Sequence, residues 1–120
     1  MPTQGKTIAV VDDDSSMRTG LERLLQAHGF ATEVFPSAEA FLGAASAADC
    51  LVLDIHLGGM GGFELRRRLA GSGSTLPVIF MTAFDDDSTR SEAAKAGCVA
   101  YLRKPFVGQL LIDAIAAATC

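Results

Sequence analysis

No apolar run in this chain is long enough to cross a membrane as a helix, and the polar opening MPTQGK is too short for the apolar segment of a signal peptide. These absences set the expectation of a cytoplasmic protein with no membrane contact. Cysteine is scarce. Cys50, Cys98 and Cys120 form no CxxC pair and no Cys-plus-His zinc spacing. An odd, unpaired set suits a reducing compartment. Cys50, opening an apolar run, reads as a buried free thiol, and Cys120 as the reachable one. A block of positive charge is missing too. Ten Lys and Arg against 14 Asp and Glu leave a formal net charge of −4. Gripping a nucleic-acid backbone takes a basic face, so no direct nucleic-acid contact is expected. Linkers and internal repeats are absent, and the 120 residues read as one domain, 1–120, with a single core.

What is present is alternation. Short apolar runs recur at Thr7–Asp12, Cys50–Asp54 and Leu76–Thr82, each ending in a polar residue. They read as strands buried on both faces. Ala31–Phe35 reads as a more exposed strand and Val99–Pro105 as the last one. Helical spacing fills the gaps. Met17, Leu21, Leu24 and Leu25 follow a cap at Asp14 or Ser15 and stop at Gly29. Pro36 and Ser37 open a second helix with Ala40, Phe41 and Ala44 on its apolar face. Phe63, Leu65 and Leu69 mark a third, with Arg66, Arg67 and Arg68 turned to water. A fourth helix runs from Asp87 to about Ala96, and Leu110, Leu111 and Ile115 make a fifth. Five rounds of strand then helix predict a parallel sheet with helices on both faces. Ligands of such sheets bind at the carboxyl ends of the strands.

The chemistry gathers at those ends. Asp12 and Asp13 close the first strand, Asp54 the third, Thr82 the fourth and Lys104 the fifth. Three carboxylates on one edge repel one another and shift each other's titration. An oxygen-only set of this kind suits a hard divalent cation, Mg2+ or Mn2+. A carboxylate is also a nucleophile toward phosphorus, and phosphoryl transfer asks mainly for positioning and neutralised charge. In that reading Asp54 is the acceptor, the cation links it to Asp12 and Asp13, Lys104 pairs with phosphoryl oxygens, and Thr82 donates a further bond.

The blocks VVDDD, LVLDI, VIFMTA and YLRKPF, in this order and spacing, resemble the response-regulator receiver domain of two-component signalling. The resemblance spans essentially the whole chain. It implies a flavodoxin-like, doubly wound five-stranded parallel sheet, order 2-1-3-4-5, with five helices. It also implies a phosphoryl group taken from a phosphohistidine on a sensor histidine kinase. The domain would be no enzyme in the ordinary sense, catalysing only its own phosphorylation and dephosphorylation. Residue by residue, it makes Asp54 the phosphoacceptor and Asp12 and Asp13 the acidic pair, and adds the His56 backbone carbonyl as a metal ligand. Thr82 and Lys104 become the responding hydroxyl and lysine, Tyr101 the rotating aromatic switch, and Lys104–Pro105 a cis peptide. The face of the fourth helix, fifth strand and fifth helix is then the dimerisation or output surface. PSAEAFL, DIHLGGMGGFEL and KPFVGQLLIDAI are most similar to the FixJ-type subgroup, whose receivers precede a helix-turn-helix DNA-binding domain.

Plainer readings stand beside these. Asp12 and Asp13 could cap the first helix, Tyr101 could be a half-buried strand aromatic, and Asp85 to Asp87 could be a solvated loop capping the fourth helix. His28 reads as a contact to the helix end, and the His56 side chain invites a general-base role. An aspartate-nucleophile phosphohydrolase would want a second acid two residues beyond Asp54, where His56 stands. A constitutive pseudo-receiver would need a broken acidic pair, threonine or lysine. GGMGG, residues 58–62, departs from the family, with Gly58 in place of a proline. Because glycines raise the entropy lost on ordering, they predict a mobile loop or an atypical path.

Overall fold

The computed structural model describes residues 5–119, so the reachable thiol expected at Cys120 lies outside the described residues. Five strands, β1 (Thr7–Val11), β2 (Ala31–Phe35), β3 (Cys50–Asp54), β4 (Val78–Thr82) and β5 (Ala100–Arg103), form one parallel sheet in the order β2-β1-β3-β4-β5. Between and after them run α1 (Ser15–Ala27), α2 (Ala38–Gly43), α3 (Gly62–Gly71), α4 (Asp87–Ala96) and α5 (Gly108–Thr119). The expected topology is the observed one.

Strand periodicity divides the core in two. Ile8, Val10, Cys50, Val52, Ile79 and Met81 face α1 and α5, meeting Leu21, Leu25, Leu111, Ile112 and Ile115. The alternate residues Ala9, Val11, Leu51, Leu53, Val78 and Phe80 face the other layer, meeting Ala38 and Phe41 of α2, Leu65 of α3 and Ala93 of α4. Strands β3 and β4 are buried throughout, while β2 and β5, at the two edges, are only partly so.

Capping follows local chemistry. Asp14 caps α1, its Oδ1 accepting from the N–H groups of Ser16 and Met17 at 2.9 and 3.3 Å. Ser37 caps α2, accepting from the Ala40 N–H at 3.0 Å. His28 is the C-cap residue of α1, its Nδ1 3.0 Å from the Leu24 carbonyl oxygen. Two local expectations are corrected. Helix α2 ends at Gly43, so Ala44 is an exposed cap residue and Ala38 takes the buried place. Arg67 and Arg68 are exposed, but Arg66 is part-buried, its Nε donating to the Gly97 carbonyl at 2.8 Å. Its long stem reaches across from α3 and ties that helix to the end of α4.

Helix α3 begins hard against the third strand. A Cβ at Gly62 would stand 2.6 Å from the Asp54 carbonyl oxygen and 2.9 Å from Ile55 Cα, both backbone atoms. Gly20, in α1, has open space around it. Gly62→Ala is therefore expected to destabilise the fold by about 1–3 kcal/mol, the usual range for overpacking. Gly20→Ala should stabilise it by about 0.5–1 kcal/mol, the helix-interior difference between the two residues. Urea unfolding of the two variants should move in opposite directions, and parental stability in Gly62→Ala would contradict the packing argument.

Candidate functional site

Register brings the polar ends together. Val11 pairs with Leu53, so Asp12, the next residue, draws level with Asp54. Asp54 pairs with Met81 and Thr82 with Arg103, which sets Thr82 one step and Lys104 two steps further along the same edge. Carboxylate oxygens of Asp12, Asp13 and Asp54 lie within 4.8 Å of one another, Asp12 and Asp54 buried and Asp13 exposed.

Lys104 enters this cluster from the end of β5, and its peptide bond to Pro105 is cis. Its Nζ donates to Asp12 Oδ2 at 2.7 Å and to Asp54 Oδ2 at 3.3 Å. The remaining oxygens are held by backbone. Asp12 Oδ1 accepts from the Asp14 N–H at 2.9 Å, and Asp54 Oδ1 from the His56 N–H at 3.2 Å. Arg18 Nη1 donates to the Asp12 carbonyl at 2.8 Å, which fixes the strand end itself. Since Asp14 does the capping of α1, Asp12 and Asp13 are left facing the cluster. Burial pushes the Asp54 carboxyl above its ordinary range; Lys104 opposes this and the Asp12 charge adds to it. For Lys104 burial acts downward, but the bonds and charges of Asp12 and Asp54 outweigh it and hold the ammonium above its ordinary value. Three carboxylates set against one ammonium leave the cluster two positive charges short of neutrality, and every spare donor atom is oxygen. That donor set fits a hard divalent cation.

Thr82 is fully buried, and its hydroxyl is engaged locally. It accepts from the Phe84 N–H at 2.9 Å and donates to the Phe84 carbonyl at 3.2 Å. These bonds close a local side-chain turn of the kind threonine readily makes. The exposed His56 side chain packs edge-to-face on Phe84, with ring centroids 5.1 Å apart. Phe84 is 67% exposed.

Tyr101 is half-buried, and its hydroxyl donates to Asp85 Oδ1 at 3.0 Å. Arg90 grips the same carboxylate bidentately, Nε to Oδ1 at 2.7 Å and Nη2 to Oδ2 at 2.6 Å. The solvated acidic loop expected at residues 85–87 is thus corrected at its first member, since the Asp85 side chain is only 7% exposed. Asp86 does the capping, accepting from the Thr89 N–H at 2.7 Å. Sequence reasoning missed Arg90. The available signal was an arginine in the second turn of a helix whose preceding loop carries the acid. Among the cysteines, burial pushes the Cys50 thiol up to about 12, as suits an inert core residue. No helix among the described residues is long and apolar enough to cross a membrane.

Comparison with known proteins agrees with this geometry. The sequence profile of the response regulator receiver domain matches residues 8–116. The chain is 37% identical over 114 residues to the transcriptional regulatory protein TdiR of Thauera aromatica, a match covering 93% of this chain and 50% of TdiR. It is 40% identical over 108 residues to the transcriptional regulatory protein FixJ of Bradyrhizobium diazoefficiens, covering 88% and 52%. It thus spans about half the length of these curated relatives. The crystal structure of FixJ-N superposes with a TM-score of 0.89 at 37% identity, covering 97% of this chain and 94% of that one.

Tyr101 is the only tyrosine, so its ionisation can be read alone. Burial first, then the bond to Asp85 and the charge of that carboxylate, push its phenol up to about 12. An unfolded tyrosine titrates near about 10. The neutral phenol therefore favours the folded state below about 10, and that contribution is lost as pH rises through the folded value. Tyrosinate absorbance should show a midpoint near 12 in the parent and a lower one in Asp85→Ala. An unchanged midpoint in the variant would deny Asp85 its part.

Proposed function

The chain belongs to the response regulator receiver domains, and from that premise we propose that it is the receiver part of a transcription regulator and receives a phosphoryl group on Asp54 from a sensor histidine kinase. The observation that carries this reading is the cluster itself, Lys104 bridging Asp12 and Asp54 with Asp13 at its rim. A carboxylate oxygen of Asp54 attacks phosphorus, a P–O bond forms, and the P–N bond to the kinase imidazole breaks with its electron pair returning to nitrogen. Asp54 is well placed for this. Its two oxygens are oriented by the His56 N–H and by Lys104, and the attack starts from a carboxylate already relieved of much of its hydration.

Asp12, Asp13, Asp54 and the His56 carbonyl would hold the divalent cation, Mg2+ or Mn2+. When bound, it supplies the two missing positive charges and neutralises the phosphoryl oxygens. Lys104 pairs with one phosphoryl oxygen while keeping Asp12 in place. Thr82 exchanges its local bond to Phe84 for one to the phosphoryl group. Because Tyr101 lies on β5, the strand paired with the β4 strand that Thr82 ends, the movement passes to the face formed by α4, β5 and α5. Phosphorylation adds nearly two negative charges and biases this face between two arrangements by its differential affinity for them. The face is the proposed surface for a homodimer or for control of a DNA-binding domain. The domain is a signalling module whose only catalysis is making and hydrolysing its own acyl phosphate, in the cytoplasm, with no nucleic-acid contact of its own.

Asp54→Asn should abolish the acid-labile phosphate formed with acetyl phosphate and Mg2+. Uptake of one phosphoryl group at the parental rate would show that the acceptor lies elsewhere. In a titration of the parent with Mg2+, amide resonances around Asp13 should shift and saturate. A folded sample with no saturable shift there would remove the cation from the scheme.

A further inference from the structure

We propose that Glu39 is a positioning residue for phosphoryl transfer, its carboxylate at the start of α2 holding the loop beside the acceptor through the Met60 N–H; this rests on Asp54 being that acceptor. The loop leaves β3 at Asp54 and contributes the His56 N–H to Asp54 Oδ1. Its far end is closed by the Gly62 N–H donating to the Ile55 carbonyl at 3.0 Å. Between these fixed points lie Gly58, Gly59 and Gly61, which have no side chains to pack, and only Leu57 and Met60 lean on the core.

Glu39 supplies the missing tether. Its Oε2 accepts from the Met60 N–H at 3.1 Å, across 21 residues of sequence. The donor's partner is rigidly placed, because α2 is capped by Ser37 and anchored by buried Ala38 and Phe41 on either side of Glu39. A bond to an ionised acceptor is also stronger than a neutral one. The Met60 N–H accordingly holds the Glu39 carboxyl below its ordinary range, with Arg68 acting in the same direction. Gly59 makes the contact sterically open. It lies at φ 74°, and a Cβ there would stand 2.8 Å from Glu39 Oε2. The glycine-rich sequence and the carboxylate on α2 are therefore two halves of one arrangement, in which the backbone comes close enough for an acid to grip it.

Glu39 touches neither phosphoryl group nor cation, and acts only by limiting where residues 56–60 can stand. Small displacements of groups flanking a reacting centre cost large factors in rate. The test compares the parent with Glu39→Ala, Glu39→Gln and Gly59→Ala, reading hydrogen exchange at the Met60 amide without metal and phosphorylation by acetyl phosphate with Mg2+. Glu39→Ala and Gly59→Ala should each exchange faster at Met60 and lose roughly tenfold in phosphorylation rate. Glu39→Gln, whose amide oxygen accepts the same N–H, should restore most of both. An unchanged rate in Glu39→Ala, or a lost rate that Glu39→Gln does not restore, overturns the proposal. The Asp54→Asn chain separates the two readings. If it still takes up a phosphoryl group, the acceptor is wrong; if it does not and Glu39→Ala is as fast as the parent, only the tether is wrong.

Discussion

Everything at the carboxyl edge depends on one ammonium group inserted between two buried carboxylates. Asp12 is wholly buried and Asp54 nearly so, a state that unpaired carboxylates do not tolerate. Lys104 makes it tolerable by bonding both at once, and backbone N–H groups of residues 14 and 56 take the remaining oxygens. Breaking such a pair on one side costs roughly 3–5 kcal/mol, whereas apolar replacements of the whole set are often neutral or stabilising. The cluster is therefore poorly explained as a stability device. It is a concentration of negative charge kept in place for use, and incompletely neutralised so that more positive charge is drawn to it.

The sheet is what makes this arrangement economical in sequence. A parallel register aligns strand ends without any side chain specifying the alignment, so a single polar residue after each apolar run is enough. The helices then close the approach from behind. Helix α3 starts so near Asp54 that only glycine fits at residue 62, and α1 is started by Asp14, which also donates its N–H to Asp12. Capping and site formation are shared by neighbouring residues of one acidic run.

These facts also explain what could be read from the sequence alone. Asp12, Asp54, Thr82 and Lys104 were legible because each ends an apolar run and alternation implies one common edge. The different fates of Asp12 and Asp13, one buried and one exposed, were not, since adjacent acids look alike until the strand end is placed. Asp85 was misjudged for a related reason. A triplet of acids reads as solvated, and only the direction in which α4 leaves the loop brings Arg90 back over the first of them. Arg66 and Glu39 reach backbone groups 31 and 21 residues away, contacts that have no periodicity to announce them. The end of α2 escaped because six residues are too few for helical spacing to mark a boundary.

The bond from Lys104 to Asp12 spans 92 residues. A chain emerging from the ribosome carries its acids long before it carries their cation. Until the fifth strand has paired, the acidic residues lack the partner that lets them be buried. A truncated or half-made chain therefore has Asp54 but not its setting. The cluster is completed only with the closing strand, so the same contact that tunes the site also marks the domain as fully folded.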